Sequence, residues 1–232
     1  MLRWGITPIE YLRMFQSLLN EDGTVDYDRF AFESMFQLAL DDFKHFEITS
    51  DLIYLIPGAN DASKIESLNQ FKKKHNLTIS IHCPIWSVEL ASPIESIRKG
   101  AVRSVVDVFN LTNDLDPEIM VLHLTGDFAA AIGHDNKIPD IVKRPLLEGF
   151  ILKAAKESLK EIIDQTGADP RFFAVENIDF PHDLTLAIIE EFDTGFCLDT
   201  GHFAAFPTWL SSPLDYLDVF ERYYDHLTEV HF

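Results

Sequence analysis

The amino-acid sequence predicts an α/β fold of the TIM type, a (β/α) barrel in which parallel strands alternate with helices. Short runs rich in β-branched and aromatic residues alternate with longer amphipathic stretches. Each short run ends at a polar or histidine-bearing turn. No glycine-rich phosphate-binding motif follows any run, so the alternative fold, a doubly wound nucleotide-binding sheet, has no specific support.

Seven strands are predicted from the short runs. They cover residues 3–7, 44–49, 77–82, 119–124, 171–176, 195–199 and 227–232. The numbers of residues between successive strand ends suit βα units and are too uneven for a solenoid repeat. This pattern favours the barrel over a repeat protein.

The stretches between the strands predict helices. They cover residues 28–42, 61–75, 93–112, 145–165, 183–192 and 213–225. Serine-proline pairs at Ser92-Pro93 and Ser212-Pro213 are typical helix starts. Segment 126–144 contains a turn-forming cluster without a sustained hydrophobic period, and we predict an active-site loop there.

The length of 232 residues, 47% of them hydrophobic, predicts a single domain over residues 1–232. The sequence stops at Phe232, directly after the seventh strand. The barrel is therefore expected to lack its eighth strand in this chain. Either the sequence is a fragment, or the barrel is completed in another way.

The charge balance restricts the class of partner. Nineteen Lys and Arg against 38 Asp and Glu give a net charge of −19, which repels a polyanion. We expect a small-molecule substrate, no nucleic acid and no membrane, and leave the oligomeric state open. No signal sequence or membrane span is evident, and Cys83 and Cys197 lie in apolar segments, so a cytoplasmic protein with reduced core thiols is expected.

Residue types that bind metals occur at the ends of five successive strands. They are His82, His123, Glu176, Asp199, His202 and His231. Parallel strands of a barrel open on one face, so these side chains should converge on one cavity. Imidazole and carboxylate suit Zn, Mn, Fe or Co, and this set could hold one to three ions. A single histidine at a strand end could simply cap the sheet, but six such residues together favour a metal site.

Four further residues are candidates for substrate contact or for support of the ligands. Asp127, His134 and Asp179 follow ligand-bearing strands, and Glu47 ends part of the second strand. For Glu47, a surface position on the outer face of the strand is the alternative.

Five sequence segments carry a resemblance to a known family. They read IHCPIWSVELASP, VLHLTGD, FAVENIDF, CLDTGHF and EVHF. Together they resemble the xylose isomerase-like TIM barrel superfamily, in its endonuclease IV-like branch (AP endonuclease family 2). Within it, the segments are most similar to the cobamide-remodelling phosphodiesterases.

This resemblance implies metal ligands and a reaction. It makes Glu176, Asp199, His202 and His231 ligands, with His82 and His123 completing a multinuclear site, and it gives Glu176, Asp199 and His202 the catalytic roles. The implied function is a metal-dependent phosphodiester hydrolase acting on a small phosphorylated molecule such as a cobamide. A sugar isomerase or epimerase with one divalent ion and a non-catalytic binding barrel are the alternatives.

Overall fold

Strands alternate with helices in the computed structural model, which describes residues 4–8, 11–205 and 216–232. Seven strands occur in these residues: β1 (Gly5–Ile6), β2 (His45–Thr49), β3 (Thr78–His82), β4 (Met120–Leu122), β5 (Phe173–Glu176), β6 (Gly195–Asp199) and β7 (Leu227–His231). The α-helices are α1 (Tyr11–Leu18), α2 (Phe32–Gln37), α3 (Asp51–Leu55), α4 (Ala62–His75), α5 (Glu95–Thr112), α6 (Asp127–His134), α7 (Asp140–Leu146), α8 (Lys153–Thr166), α9 (His182–Phe192), α10 (Thr200–Ala205) and α11 (Tyr216–Tyr223). The predicted βα alternation is confirmed.

The first compact unit comprises Met1–Pro84 and Val108–Glu118. Its strands β1, β2 and β3 are parallel and neighbours in chain order. The core of this unit includes the stacked rings of Phe36 and Phe46, whose centroids are 4.5 Å apart. Helix α4 ends where Asn76 adopts a left-handed conformation (φ 52°), and the lysines of its last turn complement the helix dipole.

The second compact unit comprises Ile85–Asp107 and Ile119–Phe232. Its strands β4, β5, β6 and β7 are also parallel and neighbours in chain order. All four residues of β5 are buried, as expected for an inner strand of a parallel sheet. Val121, Ala174 and Cys197 form a core cluster, and burial raises the pKa of the Cys197 thiol well above its ordinary value. Cys197 is therefore a buried free cysteine of the core.

The predicted loop over 126–144 is wrong as a statement about local structure. Helix α6 covers Asp127–His134 and α7 covers Asp140–Leu146. Each helix has an aspartate in its first turn, which complements the helix dipole, and three alanines favour α6. These local signals favour helices, although each segment is too short to show a clear hydrophobic period. The role of this segment in the active site stays a prediction.

Other helix boundaries differ from the sequence prediction. Only 32–37 of the predicted helix 28–42 is α-helical, after a 3-10 turn at Tyr27–Arg29. The predicted helix 145–165 becomes α8 preceded by a π-helical turn at Leu147–Leu152, next to Pro145, which has no N–H to donate. The prediction does not include α1, α3 and α10.

Parts of two predicted elements lie outside the described residues. These are residue 3 of the first predicted strand, and the start signal at Ser212-Pro213 together with residues 213–215 of the last predicted helix. Across the described part of the chain, no helix is both long enough and apolar enough to cross a membrane.

Candidate metal centre

Glu176 is the central residue of the candidate site. It ends β5, and its side chain is only 2% exposed. His123 Nε2 lies 3.0 Å from Glu176 Oε2, while His231 Nδ1 and His202 Nε2 lie 3.4 Å and 3.9 Å from Oε1. The two oxygens of one buried carboxylate therefore face different histidines.

Asp199 and His202 come together at the start of α10. The backbone N–H of His202 donates to Asp199 Oδ1 at 2.5 Å, because the three-residue spacing brings the amide back to the carboxylate in one helical turn. Ligand-capable atoms of Glu176, Asp199 and His202 all lie within 4.8 Å of one another. Nitrogen and oxygen donors at this spacing could hold a divalent cation.

Asn177 connects the strands that carry the two carboxylates. Its Nδ2 donates to the carbonyl of Asp199 at 2.9 Å, and its Oδ1 accepts the backbone N–H of Asp199 at 2.8 Å. The side chain is buried, so these bonds are shielded from water. Asn177 was not predicted as a site residue, although it directly follows a predicted ligand.

His231 ends β7 and has carboxylates on both of its ring nitrogens. Its Nδ1 lies 3.9 Å from Asp199 Oδ2, and its Nε2 lies 3.8 Å from Glu229 Oε1. Glu229 was not predicted as a site residue. It could have been predicted from its spacing to His231, because residues two apart on a strand share one face.

Glu47 and His82 belong to the first unit. Glu47 is buried and accepts a hydrogen bond from Thr7 Oγ1 at 2.8 Å, so the alternative of a surface carboxylate is wrong. His82 ends β3, and its Nδ1 lies 3.0 Å from the carbonyl of Cys83. A carbonyl only accepts, so Nδ1 carries the proton. Participation of these two residues in the metal centre stays a prediction.

The remaining candidates lie on the segments that follow β4 and β5. His134 Nε2 contacts Asp179 Oδ2 at 2.6 Å. Asp127 is in the first turn of α6, next to the carboxylate of Glu89, which accepts the N–H of Phe128 at 3.4 Å. Burial raises the pKa of Glu89, and the charge of Asp127 raises it further.

Gly126 leaves room for the Glu89 carboxylate. A Cβ at this position would lie 2.7 Å from Glu89 Oε1, which is closer than real contacts allow. The two residues are far apart in sequence, so this pairing had no sequence signal.

His182 is a buried histidine at the start of α9. Its ring stacks on Phe203, with centroids 4.5 Å apart and planes inclined by 5°. Neither ring nitrogen has a hydrogen-bond partner among the described residues. Burial lowers the pKa of His182, and the nearby Asp183 partly opposes this effect. Burial thus favours the neutral form of the ring.

Several solved structures share this fold. A D-tagatose 3-epimerase-like protein is 21% identical, with 100% of this chain and 76% of that chain covered and a TM-score of 0.61. Endonuclease IV from Thermus thermophilus is 18% identical, with 99% and 76% covered and a TM-score of 0.63. D-psicose 3-epimerase from Clostridium cellulolyticum is 16% identical, with 88% and 65% covered and a TM-score of 0.58.

A search of curated protein sequences found no match. The family model described as "Xylose isomerase-like TIM barrel" matches residues 37–232. The chain therefore belongs to the xylose isomerase-like TIM barrel family, and the fold class predicted from the sequence is confirmed.

Proposed function

We propose that this member of the xylose isomerase-like TIM barrel family is a metal-dependent phosphodiester hydrolase with a centre of two or more ions. The observation that carries the proposal is the environment of Glu176, whose two oxygens face different imidazoles. A carboxylate that bridges two ions needs this arrangement, with one set of ligands beside each oxygen.

The two sides of Glu176 offer different donor sets. His123 lies at Oε2, while His202 and His231 lie at Oε1. Asp199 is beside His231, with its Oδ2 3.9 Å from Nδ1 of that ring. All these donors are nitrogen or oxygen, which suits Zn, Mn, Fe or Co. Metal binding by His82 stays a prediction from the sequence.

Divalent ions bound at this centre would act as Lewis acids toward the phosphoryl oxygens and make a water molecule acidic enough to attack near neutral pH. The contributions of the chain itself are positioning and burial. Asn177 holds the backbone of Asp199 by two hydrogen bonds, and Asp199 in turn accepts the N–H of His202. The carboxylate of Glu176 is shielded from bulk water, which strengthens its attraction for cations.

The proposed substrate is a small phosphorylated molecule and not a nucleic acid. A net charge of −19 opposes the approach of a polyanion, whereas a small ester carries little charge. A cobamide, whose nucleotide loop contains a phosphodiester, fits this class and the similarity of the sequence segments to cobamide-remodelling phosphodiesterases.

A sugar isomerase or epimerase is the second candidate. Glu176, Asp199 and His202 alone place their ligand atoms within 4.8 Å, which suffices for one ion. Structures described as epimerases are among those that share the fold. In this reaction one ion would hold two substrate oxygens while a carboxylate such as Glu176 moves a proton beside a carbonyl.

Metal content distinguishes the two candidates. Elemental analysis of the chain purified without chelator should give two or more ions, and His123→Ala should lower the number toward one and abolish hydrolysis of bis(4-nitrophenyl) phosphate. His75→Ala, a change at the end of α4 outside the centre, is the control and should alter neither value.

A single ion that is unaffected by His123→Ala would contradict the hydrolase. Deuterium incorporation next to the carbonyl of a ketohexose in heavy water would then support the epimerase. A chain with neither metal nor either activity would support the binding barrel.

A further inference from the structure

His134 and Asp179 form a close pair that the proposed metal chemistry does not use. His134 Nε2 lies 2.6 Å from Asp179 Oδ2. The imidazole is 53% exposed, whereas the carboxylate is 17% exposed. A half-exposed imidazole on a mostly buried carboxylate is the arrangement in which the carboxylate orients the ring and a solute can still reach it.

Both residues lie on connections that leave the carboxyl ends of the strands bearing the candidate ligands. His134 is the last residue of α6, which follows β4 and His123. Asp179 follows β5 and Glu176 by three residues. Because His123 and Glu176 are in contact at 3.0 Å, the two connections begin at adjacent points of the centre.

The two connections are anchored at their starts. Glu89 accepts the N–H of Phe128 at the beginning of α6, and Asn177 is bonded to Asp199 in both directions. Phe180, directly after Asp179, is buried. The pair is therefore presented by supported segments, which general acid–base catalysis requires of its groups.

We propose that His134 is the general acid of the hydrolysis and that Asp179 is its positioning residue; this inference rests on the proposed phosphodiesterase activity. The carboxylate of Asp179 only accepts, so His134 Nε2 carries a proton toward it and the tautomer is fixed. Nδ1 is then the atom that exchanges a proton with the substrate.

The step balances with water as the second reactant. A water oxygen forms a bond to phosphorus and releases a proton to solvent, and the bond from phosphorus to the leaving oxygen breaks with its electron pair on that oxygen. The leaving oxygen takes the proton from Nδ1 of the His134 imidazolium and departs as an alcohol. The neutral imidazole regains a proton from solvent, and the other product is a phosphomonoester.

A general acid matters most for a poor leaving group, and this gives the test. The chain loaded with its metal should be assayed on methyl 4-nitrophenyl phosphate, whose leaving group departs without a proton, and on methyl benzyl phosphate, whose alkoxide needs one. His134→Gln should lower kcat on the benzyl ester by about 10²–10⁴-fold and on the nitrophenyl ester by less than about tenfold, with little change in KM.

Two further variants complete the experiment. Asp179→Asn should give a smaller loss with the same preference, because its amide oxygen can still accept from Nε2. Lys137→Gln, an exposed position three residues after His134, is the control and should affect neither ester. Metal content should equal that of the wild type in all variants.

Equal losses on both esters, or a wild-type chain that hydrolyses only the nitrophenyl ester, would overturn the role of His134 while leaving the proposed function intact. A metal-loaded wild-type chain that hydrolyses neither ester would overturn the proposed function and the general acid together.

Discussion

Asn177 holds the backbone of Asp199 from both sides, donating to its carbonyl at 2.9 Å and accepting its N–H at 2.8 Å. One amide side chain thus couples the end of β5 to the end of β6, the two strands that carry Glu176 and Asp199. This side-chain bridge adds to the backbone pairing of β5 with β6, in which Glu176 lies opposite Cys197.

Replacing Asn177 by alanine should weaken both the fold and the metal centre. The change leaves two backbone groups of Asp199 without their partner, at a cost of about 1–3 kcal/mol in the free energy of unfolding. Loss of a supporting hydrogen bond to a ligand should lower metal affinity by about 10–100-fold. Urea unfolding and metal titration measure the two effects.

Asn136→Ala is the matched control for Asn177→Ala, since Asn136 is exposed and should leave stability and affinity unchanged. If Asn177→Ala lowered stability but kept full metal affinity, Asn177 would be a structural residue without influence on the centre.

Glu176→Gln should abolish metal-dependent turnover and leave the chain folded. The amide keeps the shape of the side chain and can still contact His123, but it lacks the negative charge that attracts cations. Metal content, turnover and circular dichroism should be measured together. Glu21→Gln, at an exposed position of the first unit, is the control. Wild-type metal content in Glu176→Gln would show that Glu176 is not a ligand.

The strand ends could be located from the sequence because a simple rule of parallel sheets applies to them. Carboxyl ends of parallel strands share one edge, so Glu176, Asp199 and His231 are expected to meet once each strand is recognised. Contacts of 3.4 Å and 3.9 Å from His231 Nδ1 to the two carboxylates agree with that rule. His123 joins them for the same reason.

The supporting residues could not be found in the same way. Glu89 contacts Gly126 and Phe128, which are far from it in sequence and come close to it only in the folded chain. Asn177 is one of several asparagines in the sequence, and only the structure shows its two hydrogen bonds to the backbone of Asp199. Helix α6 was missed because eight residues are too few for a clear hydrophobic period.

Glu89→Gln should stabilise the chain at neutral pH. Burial, followed by the charge of Asp127, raises the pKa of Glu89, so the folded state favours the protonated carboxyl. Protonated Glu89 therefore stabilises the folded state fully below the ordinary pKa of glutamate, about 4.3. This stabilisation is lost as the pH rises through the higher pKa of the folded state. Glutamine removes the charge and keeps an oxygen for the N–H of Phe128.

Thermal unfolding of Glu89→Gln and wild type at pH 7 and pH 4 measures this effect. The variant should have the higher Tm at pH 7, and the difference should shrink at pH 4. A lower Tm of the variant at pH 7 would mean that attraction between the Glu89 carboxylate and the N-terminus of α6 outweighs the cost of burial.

His182→Phe should reduce the loss of stability in mild acid. Burial lowers the pKa of His182 in the folded state, whereas in the unfolded chain histidine takes up a proton near pH 6.5. Neutral His182 therefore stabilises the folded state fully above about pH 6.5, and this stabilisation is lost as the pH falls toward the folded pKa. The free energy of unfolding decreases by at most about 1.4 kcal/mol per pH unit. Phenylalanine has no proton to bind, and it can keep the stack on Phe203. Because neither ring nitrogen of His182 has a partner among the described residues, the substitution removes no hydrogen bond there.

Urea unfolding at pH 7 and pH 5 should show a smaller decrease in the free energy of unfolding for His182→Phe than for the wild type. His75→Gln is the control and should retain the wild-type decrease. Equal decreases in His182→Phe and the wild type would show that His182 is protonated in the folded chain as readily as in the unfolded one.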